Sequence, residues 1–182
     1  MLFTTGAWAA DHEIALYAGG GLTSPGTLTY EADVDLDDDL LDGSDTFGAL
    51  FGMRYTQWIG NDGFGVEFSR DHPTGQDTAP ADPLASSDDS ILTLNYHKVF
   101  PDRLFDPYVG LGIGVLNTAD THLAGPAMRL SAGGRYALND VVDVMAEYQF
   151  TYSQNLSDPE TLNGASADQH SNAINLGISF GF

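Results

Sequence analysis

From Ile174 to Phe182 the apolar residues fall at every second position, Ile174, Leu176, Ile178, Phe180 and Phe182, with Asn175, Gly177, Ser179 and Gly181 between them. A period of two belongs to a strand, whose side chains point alternately to its two faces. The same alternation recurs along the chain and predicts eight strands: Glu13 to Leu22, Asp45 to Ile59, Phe64 to Asp71, Ser90 to Phe100, Tyr108 to Leu116, Pro126 to Leu138, Val141 to Ser153 and Ser171 to Phe182. The connections alternate in length. Long ones, Thr23 to Ser44, His72 to Asp89 and Gln154 to Gln169, are interleaved with the tight turns Gly60-Asn61-Asp62-Gly63 and Asn139-Asp140, rich in residues that tolerate positive φ. An antiparallel meander whose short turns share one rim and whose long loops share the other would connect in this way.

The sidedness of the strands separates two architectures. In a soluble lipocalin-like barrel the apolar rows face inward and the polar rows face water. In a membrane barrel the apolar rows face lipid and the small polar rows fill the interior. Here the polar rows are mostly Gly, Ser, Thr and Asn, as in Gly110, Gly112 and Gly114 opposite Val109, Leu111, Ile113 and Val115. A water-facing row would be rich in Lys, Glu and Gln; small residues suit a confined lumen. The expectation is therefore all-β, an eight-stranded antiparallel transmembrane β-barrel with short periplasmic turns and four longer extracellular loops, with a soluble lipid carrier as an alternative. Strands near ten residues match the roughly 9 to 11 of a tilted transmembrane strand.

Composition sharpens this picture. No helix-length apolar run exists: the longest uncharged apolar stretch, Pro107 to Ala119, falls short of the roughly 20 residues a spanning helix needs. Cysteine is absent, which removes disulfides and thiolate chemistry. Against 26 acidic residues stand only 6 basic ones, a net charge of −20. Such a surface has no basic patch to displace counterions from phosphates, so nucleic acid is not an expected partner. The acids concentrate between strands: Glu31, Asp33, Asp35, Asp37, Asp38, Asp39, Asp42 and Asp45 form one run, and Asp71 to Asp89 holds another. The N-terminal MLFTTGAWAA has a short apolar run and an A-x-A pattern at Ala7-Trp8-Ala9. Residues 1–10 thus read as the remnant of a signal peptide, with the barrel domain at 11–182; an apolar N-terminal strand is the alternative.

The opening LYAGGGL, the PYVGLGIGV of the fifth strand and the terminal GISFGF make the chain resemble the OmpA/OmpX-like small outer-membrane barrels of Gram-negative bacteria. That resemblance implies an integral outer-membrane location, contact with outer-membrane lipids and lipopolysaccharide, and recognition by the barrel-assembly machinery, for which Phe180 and Phe182 resemble the terminal signal. A narrower likeness runs through Gly52 to Trp58 and Gly125 to Asn155, which are similar to alphaproteobacterial barrels described as lipid A oxidase-like; it implies an activity without nominating residues.

The candidate chemistry lies mainly on the polar rows. Arg54, Glu67, Arg129, Arg135 and Glu147 would be buried in a narrow lumen, where charges must pair. Neighbouring strands make Arg54 with Glu67, and Arg135 with Glu147, the natural pairs of a lumen charge network that plugs the barrel; a gate or proton-handling site is the alternative. His97 on the fourth strand is a candidate general base. His170, Ser171 and Glu147 supply the residue types of a deacylation set. Asp33, Asp35, Asp37 and Asp39 offer alternate oxygen ligands for a weakly bound Ca²⁺ or Mg²⁺, although an EF-hand loop starting at Asp33 would lack its Gly at Asp38 and its Glu at Ser44. No other cofactor is expected. The function these readings favour is a structural or surface-interaction barrel with a side-chain-filled lumen, whose acidic loops meet a partner the sequence does not name. The alternative is a lipid A-modifying enzyme.

Overall fold

A computed structural model describes residues 11–29, 46–73, 89–102, 105–118, 124–156 and 166–182. Eight strands, β1 (His12–Thr29), β2 (Thr46–Ile59), β3 (Asp62–Pro73), β4 (Asp89–Val99), β5 (Asp106–Thr118), β6 (Ala124–Ala137), β7 (Val142–Leu156) and β8 (Ser166–Gly181), pair antiparallel in chain order and close into a barrel through β1 and β8. Where each described strand is paired on both sides, closure leaves no free edge, the condition for a sheet to stand in hydrocarbon. The 1–10 segment and the acidic run with Asp33, Asp35, Asp37 and Asp39 lie outside the described residues.

All eight expected strands are present, and several run further at the rim of the long connections. β1 reaches Thr29, and β8 begins at Ser166. Those two pair along this extension, with a register shift between Pro25 and Leu28. Pro25 has no N–H to give to the ladder, so an irregularity belongs there. At the other rim the β2–β3 turn is tighter than expected: Gly60, at φ 62°, and Asn61 suffice, and Asp62 already pairs with Ile59. Asn139 closes the β6–β7 turn by accepting the Val141 and Val142 amides at its side-chain oxygen, both at 2.9 Å.

The sidedness is that of a membrane barrel. Leu176 is 68% exposed while its neighbour Asn175 is fully buried. Phe180, Val144 and Leu111 face outward, and Arg135 and Glu67 face inward. The lipocalin-like alternative, which requires the reverse, is thereby overturned. Apolar residues do occur inside, in layers. Near the short-turn rim, Ala15, Trp58, Val99, Tyr108 and Met145 pack together. Toward the long-loop rim, Leu50 and Ala173 pack with Tyr17, and Ile91, Leu116 and Ala127 form a further cluster.

Candidate functional site: a charged belt in the lumen

Between and beside those apolar layers lie ionised side chains from four strands. Arg54 on β2, Glu67 on β3, Arg129 and Arg135 on β6 and Glu147 on β7 each point inward because their strands place them in the small polar row, and all are 3% exposed or less. An ion there has lost its water, so its neighbours must replace that hydration.

Glu67 is the hub. Its Oε1 accepts from the Tyr17 hydroxyl at 2.5 Å, from Gln149 Nε2 at 3.1 Å and from Arg129 Nη1. Its Oε2 accepts from Asn95 Nδ2 at 3.2 Å and Arg54 Nη1 at 3.5 Å. Arg129 also donates to Thr151 Oγ1 at 3.2 Å and Ser69 Oγ at 2.7 Å. Arg54 spans the lumen: its shorter ion pair, 2.8 Å, is with Glu147, whose carboxylate also accepts from Tyr108 at 2.7 Å and Gln149 at 2.6 Å. Small residues leave room for these side chains. A Cβ at Gly52 would collide with the Tyr17 ring, and one at Gly112 with the Asn95 amide, so both partners need the glycine across the strand.

Register puts Arg54 beside Glu67, and that expected pair forms, but at 3.5 Å it is the longer of Arg54's two. The expected Arg135–Glu147 pair is not the one observed. Arg135 instead donates to Glu13 at 2.5 Å and lies over the Trp58 ring at 4.5 Å. Its Cα partner on β5 is Asp106, and Glu147 faces Gly133. Glu13 and Trp58 were missed because each is a single inward residue at a strand end; the signal was there in phase, since both continue the inward row. Trp58 Nε1 donates to Glu13 at 3.0 Å, completing a second, lower cluster.

His97 is buried, with Nε2 3.1 Å from Arg54 Nη1. A guanidinium has no lone pair to give, so Nε2 is the acceptor, and the nitrogen a general base would use is occupied. The deacylation set is not assembled: Ser171 faces Thr151 while Glu147 faces Asn175, further along β8. Among the described residues no group of three or more His, Asp or Glu side chains is arranged to hold a metal. Phe182 stacks on His12 with ring centroids 5.8 Å apart, and their backbones exchange hydrogen bonds at 2.9 and 3.2 Å. Phe180 pairs with Ile14 on one side and Val142 on the other.

The barrel fold is shared with known proteins. The family model for the outer membrane protein β-barrel domain matches residues 1–182. Among solved structures, Neisserial surface protein A superposes with a TM-score of 0.67 at 14% identity, covering 95% of this chain and 98% of that one. OprG of Pseudomonas aeruginosa gives 0.51 at 15% identity, covering 98% of each. At such identities the likeness shows the fold. No curated protein matches the chain in sequence. The lipid A oxidase-like likeness stays with the residue pattern that suggested it. The chain belongs to the outer membrane protein β-barrel domain family, and its place is the Gram-negative outer membrane.

Proposed function

We propose that this outer-membrane barrel is closed to solutes and acts at the cell surface through its loops. The observation that carries the reading is the charged belt held between apolar layers: Arg54 bridges Glu67 and Glu147 across the lumen, with Trp58, Val99 and Tyr108 below and Ile91 and Leu116 above. A hydrated path would have to part both apolar layers and also break ion pairs that have no water to fall back on. An eight-stranded barrel has an interior that side chains can fill. Contact with a partner then belongs to the long-loop rim, where the sequence concentrates its carboxylates.

Liposomes carrying the purified protein should not swell in small sugars, and planar bilayers should show no steady conductance; swelling at the rate given by a general porin would end the closed-barrel reading. A lipid A-modifying activity would need ionisable groups converging at headgroup level, whereas these arginines and glutamates converge inside the wall. The lipid A mass spectrum of cells with and without the gene should be the same.

A further inference from the structure

The charges of the belt cancel, since Arg54 and Arg129 face Glu67 and Glu147. Those of the lower cluster do not. Arg135 donates to Glu13, but Asp143 also faces inward, 6% exposed, and lies diagonally across the β6–β7 ladder from Arg135. Asp106, the Cα partner of Arg135 on β5, adds a further carboxylate. Arg135 holds Glu13 at 2.5 Å, whereas the hydrogen bond that Asp143 accepts from Ser179 Oγ is long, at 3.5 Å. A buried acid so weakly compensated is one that tends to keep its proton.

Its position gives that proton a mechanical role. Strand β7 has 15 residues, more than the roughly 9 to 11 of a tilted span, and Asp143 is its second. It lies one pair below the outward Tyr136–Val144 pair, in the mouth of the barrel at the short-turn rim and outside the span. There β8, the closing strand, runs between Asp143 on β7 and Glu13 on β1: Asp143 is the Cα partner of Ser179, and Glu13 that of Gly181. The Gly181 amide bonds to Val141 O at 2.8 Å and the Phe182 amide to His12 O at 2.9 Å, which fastens the end of the chain to both neighbours. When Asp143 and Glu13 are both ionised they repel across this strand, and Arg135 is shared between them.

Burial raises the Asp143 carboxyl most; Arg135 on β6 lowers it, Glu13 on β1 and Asp106 on β5 raise it, and the Ser179 hydroxyl on β8 lowers it, leaving it at about 6. We propose that Asp143 is an acid-operated lock on the barrel seam, whose protonation leaves Arg135 wholly to Glu13 and binds β8 more tightly to β7 and β1. The new O–H can donate to Ser179 Oγ, reversing the present bond. The sign follows from linkage: a carboxyl raised in the folded state adds stability as pH falls through its folded value, and the gain is complete below the ordinary carboxylate value. Between pH 7.5 and pH 5 this group alone should raise the folding equilibrium constant about tenfold. The lock lies at the mouth and does not depend on whether the belt above it is closed to solutes.

The full-length protein in phosphatidylcholine vesicles would be unfolded in denaturant at pH 7.5 and pH 5, and the protection factors of the Gly181 and Phe182 amides measured at both. Asp143→Asn is neutral throughout. Its folding constant should exceed that of wild type about tenfold at pH 7.5 and match it at pH 5. Protection of the two amides should rise on acidification in wild type and stay level in the variant. A ratio of variant to wild type that is the same at both pH values overturns the proposal. If the variant does not fold, the ¹³C shift of the Asp143 carboxyl in wild type decides: a midpoint above about pH 5 supports the lock, and one at or below it overturns it.

Discussion

Two ion pairs in this barrel have the same length and opposite surroundings. Arg54 and Glu147 approach to 2.8 Å in the lumen, with side chains 3% and 0% exposed. Lys98 and Asp62 also approach to 2.8 Å, on the outer face near the short-turn rim, at 37% and 36%. Distance therefore says little about what a pair contributes. In the lumen either charge alone would be stranded without water, so the pair is costly to break from one side. At the rim, water and salt replace a lost partner, and the pair holds two side chains in place for little gain. Tyr96, which also donates to Asp62 at 2.6 Å, makes the rim pair part of an interfacial girdle more than a strut.

The strongest break in this comparison is Glu67→Ala. It leaves Arg129 and Arg54 with less compensation and five donors without their acceptor, and should cost about 3–5 kcal/mol in denaturant unfolding of the barrel from lipid. An unchanged unfolding midpoint would show that water reaches the belt. A sharper version removes both ends of one pair. Arg54→Met with Glu147→Met should be less destabilising than either single change, because no uncompensated ion remains; a double change equal to the sum of the singles would deny that the two are coupled. Tyr17→Phe removes one hydrogen bond to a carboxylate and keeps the ring over Gly52, for a loss of about 1.5 kcal/mol by the same measurement. At the rim, Asp62→Ala should leave the unfolding midpoint within error of wild type, and a marked drop would place that pair in the same class as the buried one.

The eight strands and the direction each face points were legible in the sequence because lipid and a narrow lumen sort residues by size and polarity at a period of two. Arg54 beside Glu67 was legible for the same reason, as a neighbour contact on adjacent strands. The contacts across the lumen were not. Arg54 with Glu147, Arg129 with Glu67 and Arg135 with Glu13 join strands that are distant in sequence, and their meeting depends on the shear with which the barrel closes. The apolar layers were also hidden, because Leu50, Trp58 and Leu116 are apolar residues standing in rows otherwise read as polar. An apolar residue out of phase with its strand marks the inside of a filled barrel.

The β1–β8 seam carries a kinetic consequence. The strand nearest the start of the chain finds its second partner only when the strand nearest the end is in place, and the ring contact of His12 with Phe182 sits at that last junction. Until then both margins of the growing sheet expose ladders of open amides and carbonyls that another copy could capture. Contacts so far apart along the chain also make spontaneous folding slow. The polypeptide must therefore be kept from its own kind during a long wait.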